Sequence, residues 1–175
     1  MRPYVSVFLG TSLDMKIARA DGGIEWLEEA NTTQENYGYE AFMETVDTLV
    51  IGRSTYDTVL GFDPWPYTGK RVVVMTHRPL ISRWGEEAAS GALLSLLERL
   101  QQEGVRHVYL DGGQMVQQGL REGVVDALTL SVLPIVLGEG RSLFGGGIPE
   151  QRWKRKEVRS FQSGVVQLQY ERTTQ

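Results

Sequence analysis

The chain has 175 residues, of which 41% are apolar and 23% charged, with a formal net charge of −4. These are the proportions of a globular domain in water, and the acidic balance argues against nucleic acid as the principal partner. There is no cysteine, which excludes disulfides, thiolate nucleophiles and Cys–metal sites, and the two histidines, His77 and His107, lack metal-ligand spacing.

Tyr4–Leu9 predicts a first strand, ended by Gly10. Thr11–Ala18 mixes apolar and polar residues without helical period, as a loop or a bent extension of that strand does. Asp21-Gly22-Gly23 marks a turn. Ile24, Trp26 and Leu27 then give the segment apolar bulk, so it either packs as a connector or folds over a ligand. Thr32 or Thr33 can cap a helix continuing to about Val46, with Tyr39, Phe42, Met43 and Val46 on one face.

Thr48–Ile51 is an apolar, β-branched run that reads as a buried strand and enters Gly52-Arg53-Ser54-Thr55-Tyr56 directly. Gly52 has no Cβ to obstruct a ligand, Ser54 or Thr55 can cap the following helix, and Arg53 adds a cation. Such a turn suits phosphate; an ordinary strand-to-helix connection is the alternative. Gly69-Lys70 is not a P-loop, because Pro64 stands where a glycine is required and Arg71 where Ser or Thr is. Arg71–Met75 predicts a second buried strand, stopping at Thr76-His77-Arg78. Leu93, Leu96, Leu97 and Leu100 form the stripe of an amphipathic helix closed by Gly104.

His107–Leu110 predicts a third strand of the same kind, leading through Asp111-Gly112-Gly113 into a helix to about Leu120. Val124–Val132 is a further strand. The glycine-rich connection after Pro134 is not a dinucleotide fingerprint, since Leu143 occupies the third glycine's place. Trp153–Phe161 and Val165–Tyr170 predict an antiparallel pair turning at Ser163-Gly164, with the cations of Arg152–Arg159 on a solvated face. An unprotected edge or apolar face at Val165–Tyr170 invites pairing with a second copy, a homodimer. The whole predicts one α/β domain over residues 1–175: a mixed, mostly parallel sheet with flanking helices and a C-terminal antiparallel pair. No run approaches the ~18 apolar residues of a membrane span, and the expected location is the cytoplasm. Cationic or amide-rich turns follow the strands at Gly52-Arg53, Thr76–Arg78 and Gly112-Gly113. Together they can hold a ligand with several phosphates, such as a dinucleotide.

Ser12-x-Asp14-x-x-Ile17-Ala18, Asp47-x-Leu49-x-x-Gly52-Arg53-x-Thr55-Tyr56 and Asp111-Gly112-Gly113 resemble the motifs of the dihydrofolate reductase-like fold. So do Asp126-x-Leu128 and Pro134-x-x-x-Gly138-x-Gly140-x-x-Leu143-Phe144. The branch most similar is the reductase domain of the riboflavin-biosynthesis deaminase/reductase, which reduces 5-amino-6-(5-phosphoribosylamino)uracil. The resemblance implies NADPH as hydride donor and a stand-alone reductase domain acting on a small heterocycle. It places Gly52, Arg53, Ser54 and Thr55 on cofactor phosphate, and Thr76, His77 and Arg78 on the 2′-phosphate side. Asp111, Gly112, Gly113, Gln114, Met115 and Val116 fall at the pyrophosphate, and Ile17 and Ala18 beside the nicotinamide. Asp14 is the expected polar partner in the chemistry, with Trp26, Tyr39 and Phe42 as pocket walls. Two departures stand out: Met15 replaces the glycine usual after the first-loop Asp, and Glu40 is out of register with the pterin-binding acid of folate reductases. A binding module without catalysis and a dihydrofolate reductase are the competing readings.

Overall fold

The computed structural model describes residues 1–173, leaving aside the side chains of 29–31. In chain order, β1 (Tyr4–Thr11) and β2 (Lys16–Ala18) lead to a 3₁₀ helix (Glu25–Thr33) and α1 (Tyr39–Thr45). Then come β3 (Thr48–Gly52), α2 (Arg53–Val59), β4 (Arg71–Met75), β5 (Glu87–Ala89) and α3 (Leu93–Gln102). They are followed by β6 (His107–Asp111), α4 (Gly113–Arg121), β7 (Ala127–Val132), β8 (Arg141–Ser142), β9 (Trp153–Ser160) and β10 (Val166–Arg172). Eight strands form one sheet in the order β5-β4-β3-β6-β1-β7-β10-β9, while β2 and β8 pair separately. The run from β5 to β7 is parallel, and β10 and β9 add antiparallel, as the sequence predicts.

Period-two alternation decides which core each side chain joins. Val50, Val73, Val108 and Leu110 face α3 and α4, packing with Leu93, Leu97, Leu100 and Val116. Leu49, Ile51, Val72, Val74 and Tyr109 face the other way, against Tyr56 and Val59 of α2 and the rings of Trp65 and Tyr67. The short β-branched strands are thus buried on both faces, the condition for a central parallel strand.

Three expectations change. The helix expected from Thr32 or Thr33 to Val46 is two elements, because Gly38 adopts φ 84, a left-handed conformation that no continuing helix accepts. Neither Ser54 nor Thr55 caps α2; the helix starts at Arg53, with Gly52 in the cap position and no side-chain cap bond. The Val165–Tyr170 strand is not an edge, since β10 lies between β7 and β9. The edge at this end of the sheet is β9, which is almost wholly exposed. Among the described residues no helix is long and apolar enough to cross a membrane.

Candidate functional site

Because β4, β3, β6 and β1 are parallel neighbours, their carboxyl ends stand side by side about 4.8 Å apart. The turn after β3 and the turn after β6 therefore adjoin. Gly112 has φ +97, and a Cβ there would lie 2.5 Å from Thr55 Oγ1 and 3.6 Å from Gly52 N. A Cβ at Gly52 would meet Met115 Cγ at 3.3 Å, and one at Gly113 would collide with Ile17 Cδ1. In the crevice between these turns, Thr55, Met115 and Ile17 pack directly against the glycine backbone, and Ile17 of β2 lies over the start of α4. The first i→i−4 bond of α4 runs from Val116 N to Gly112 O at 2.9 Å. The N–H groups of Gly113, Gln114 and Met115 precede it, and at a helix start such groups favour an anion.

Several residues expected at the pyrophosphate contribute differently. The side chains of Met115 and Val116 are buried in the core, and the Val116 N–H is already used inside the helix. Asp111 turns back toward the sheet, accepting from Gly112 N at 2.8 Å and from Tyr67 OH at 3.3 Å. Burial raises its pKa, opposed by those hydrogen bonds. It fixes the turn, and a second negative charge facing a phosphate is avoided. Ala18 is buried, its carbonyl so close to Gly140 that any side chain at 140 would collide with it.

At the outer end of the crevice a cluster of charge joins β3 to β4. Arg53 Nε donates to Asp57 Oδ1 at 2.9 Å, and its Nη1 to Pro79 O at 3.0 Å and Thr76 Oγ1 at 3.3 Å. Thr76 Oγ1 also accepts from Arg78 N at 3.1 Å, while Arg78 Nη2 reaches Asp57 Oδ2 at 3.3 Å. Two guanidiniums share one carboxylate, which leaves net positive charge, and His77 and Ser54 are exposed beside them. A phosphate there would meet a hydroxyl and two planar cations already held in place.

On the other side of the crevice, a cavity of about 270 Å³ opens against the second half of β1. Phe8, Leu9 and Gly10 form its floor, Leu27, Tyr37 and Tyr39 come from the preceding loop and α1, and Ser131, Leu133 and Val165 complete it. Phe8 is held by Tyr109, which donates to its carbonyl at 2.8 Å, and by stacking on Phe42 at 4.9 Å between centroids. Phe42 thus backs Phe8 and is not itself a wall. Tyr39 is a wall, edge-on to Phe8 at 5.6 Å, and burial pushes its phenol up to about 12. Trp26 is fully buried with Leu133 and Val165, and its neighbour Leu27 lines the cavity in its stead. Its indole Nε1 has no acceptor among the described residues.

Asp14 is a structural clasp where the sequence suggests a reactive acid. It accepts from Ser12 Oγ at 2.6 Å, Leu137 N at 3.1 Å and Gly138 N at 2.9 Å. The Ser12 hydroxyl foremost, against the opposing pull of burial, and then these amides hold its carboxyl at about 2. Glu35 is similarly engaged: burial would raise it, but Thr33 Oγ1, Ser163 N and Gln162 N bring it down to about 2. Glu40 is exposed. The expected site residues therefore divide. Gly52, Arg53, Thr55, Thr76, Arg78, Gly112, Gly113 and Ile17 assemble around one crevice, and Tyr39 joins the cavity. Asp14, Trp26, Phe42, Asp111 and Val116 support these from behind. Gly10, Tyr37, Ser131, Leu133 and Val165 come from segments far apart in the chain. Only Ser131, a hydroxyl inside an apolar strand, carries a signal in the sequence. Among the described residues no group of acids and histidines is placed to hold a metal ion.

The RibD C-terminal domain family matches residues 3–167. YwjB of Bacillus subtilis, an uncharacterized protein, is 35% identical over 172 residues, covering 95% of this chain and 96% of its own. A crystal structure from Shewanella sp. PV-4, described as a candidate riboflavin biosynthesis protein, superposes with a TM-score of 0.90 at 33% identity, covering 99% of this chain and 100% of that one. At the level of fold, the Thermotoga maritima deaminase/5-amino-6-(5-phosphoribosylamino)uracil reductase gives a TM-score of 0.73 at 15% identity, over 98% of this chain and 57% of that one. A dihydrofolate reductase from Enterococcus faecalis, complexed with NADP(H), gives 0.67 at 15% identity, over 98% and 97%. With its motifs on the crevice and its whole sheet reproduced in these structures, the chain belongs to the RibD C-terminal domain family, on a dihydrofolate reductase-like fold.

Proposed function

We propose that this protein is an NADPH-dependent reductase of a small heterocyclic or related substrate. The observation that carries the reading is continuity. A row of turns at the carboxyl ends of β4, β3 and β6 carries the Arg53–Thr76–Arg78 cluster, the start of α4 and, packed over it, Ile17, toward the cavity on the next strand, β1. Its residues fit a dinucleotide with a 2′-phosphate: cations and a hydroxyl at one end, free helix amides in the middle, an apolar side chain near the cavity. When bound, NADPH supplies the hydride.

The chain's own residues then bind and orient. Arg53, Thr76 and Arg78 hold phosphate; Gly52 and Gly112 admit the cofactor backbone; Ile17 shields the reacting end from water. The cavity positions the acceptor against that end. Neither Asp14 nor Glu35 acts as acid, since each carboxylate is held ionised by at least three hydrogen bonds. Among the hydroxyls that line the cavity is the Tyr39 phenol, which is protonated at neutral pH.

The test is NADPH oxidation, followed at 340 nm, across pyrimidines, pterins and quinonoid compounds. Turnover of at least one of them supports the reductase; NADPH binding without turnover of any supports a non-catalytic binding module. Dihydrofolate is expected to be a poor substrate, because no carboxylate lines the cavity to pair with a pterin's donor edge. A kcat/KM with dihydrofolate above about 10⁴ M⁻¹s⁻¹ would identify a folate reductase instead.

A further inference from the structure

The cavity's chemistry differs from that of the crevice beside it. No Lys, Arg, His, Asp or Glu is among its lining residues. Its polar groups are hydroxyls. Gln167 is buried at 1% exposure, and its Nε2 donates both to Tyr37 O at 2.8 Å and to Ser131 Oγ at 3.0 Å. Ser131 Oγ is thereby an acceptor toward the protein, and its own hydrogen has no protein acceptor among the described residues. That hydrogen is left for the cavity. Tyr39 adds a second O–H, protonated at neutral pH as a phenol ordinarily is.

The nearby cations stand outside the lining. Arg159 lies 4.9 Å over the Phe161 ring and donates to Asn36 O at 3.3 Å, and Lys16 Nζ donates to Ser142 Oγ at 2.9 Å. Arg53 follows β3, which β6 separates from β1. An anionic group buried among these lining residues would lose its hydration and meet no charged side chain of the lining, the Arg159 guanidinium lying outside it beside Gly38, a costly exchange. About 270 Å³ also lies at the small end of ligand pockets, fitting one or two fused rings.

We propose that the cavity takes a neutral, planar ring compound presenting a carbonyl or imine acceptor, and not a ring that carries a phosphorylated ribose chain. Ser131 and Tyr39 would donate to the acceptor atom while Phe8, Leu27 and Leu133 pack the ring. This deepens the reductase reading by naming the substrate class, and it sets the chain apart from the phosphoribosyl substrate in the name of the Thermotoga enzyme.

The experiment is calorimetric titration of the full chain, with and without saturating NADP⁺, using 1,4-naphthoquinone as neutral probe and uridine 5′-monophosphate as phosphorylated probe. The absence of cysteine removes the thiols a quinone would otherwise alkylate. Naphthoquinone is expected to bind at least tenfold more tightly than the nucleotide. Ser131→Ala should weaken it about threefold to tenfold, the effect of one neutral hydrogen bond. Leu27→Arg, a separate change at the loop wall, should erase or reverse the preference between probes. The inference is overturned if neither probe binds, if uridine 5′-monophosphate binds as tightly as the quinone, or if both variants leave quinone affinity unchanged. NADPH is titrated in parallel. Quinone binding as expected with no NADPH binding would uphold the cavity inference while removing the reductase reading.

Discussion

Arg53→Ala separates binding from folding, because the structural contacts of this side chain are few and their worth can be estimated. Its i,i+4 ion pair with Asp57 is partly exposed, 23% and 44% for the two side chains, and such pairs contribute about 0.3–0.5 kcal/mol. The bond to Pro79 O adds about 1 kcal/mol, and the 3.3 Å contact with Thr76 is weak. A loss of roughly 1–1.5 kcal/mol lowers the melting temperature of a chain this size by about 2–6 °C. A charge-assisted contact to a cofactor phosphate is worth about 1.5–3 kcal/mol, so NADPH affinity should fall roughly tenfold to a hundredfold. The assay is NADPH titration by tryptophan fluorescence at low and high salt, beside thermal melts of the cofactor-free protein. The loss of affinity should shrink as salt screens the wild-type contact. A melting temperature lowered by more than about 10 °C with affinity within twofold of wild type would refute the reasoning and make Arg53 a structural residue.

NADPH should bind about tenfold to a hundredfold more tightly than NADH, because Arg78, Thr76 and Arg53 converge at one end of the crevice; equal dissociation constants would remove that assignment. Gly112→Ala should destabilise the fold by about 1–3 kcal/mol in urea and also weaken NADPH, since φ is +97 and the new Cβ would press on Thr55 Oγ1; an unchanged midpoint would contradict it. Acid should unfold the protein through its pinned carboxylates. Asp14, Glu35 and Glu86 have folded pKa values of about 2, below the ordinary 3.8 to 4.5, so their stabilisation is complete above about pH 4.5 and is lost as the pH falls toward 2. For Glu86 burial acts in the opposite sense but is outweighed by Ser82 Oγ and the amides of Trp84 and Arg83. Melting temperatures followed from pH 7 to 2.5 should be flat and then decline, with a shallower decline in Glu86→Gln; an identical slope would show that Glu86 does not contribute.

The turns at the strand ends are legible in the sequence because they are local. Each β-branched run ends in the glycine or cation that follows it within a few residues, so Thr48–Arg53 and His107–Gly113 carry strand and turn together. The cavity is not, because its walls come from β1, the loop before α1, β7 and Val165, and only folding brings them together. Asp14 shows the same division. Its partner Ser12 lies two positions away, but the Leu137 and Gly138 amides that occupy its oxygens lie 123 and 124 positions along the chain. Trp26 departs from expectation for a different reason. It is the larger apolar residue of its segment, but the 3₁₀ turn buries it and directs Leu27 to the cavity. The break at Gly38 separates Tyr37 from Tyr39, yet both rings reach the same cavity.

The Asp14 clasp also bears on how the segment over the crevice can move. β2 pairs with β8, Leu143 N donates to Met15 O at 2.9 Å, and Asp14 grips the 137–138 amides. The stretch that carries Ile17 is therefore a bracket fastened at both ends and not a flap hinged on β1 alone. Swinging it aside would break the ribbon and the clasp in one cooperative step, so its amplitude is tied to that of the sheet behind it. A ligand held there would exchange along the crevice and through the open mouth of the cavity, past a wall that keeps its place.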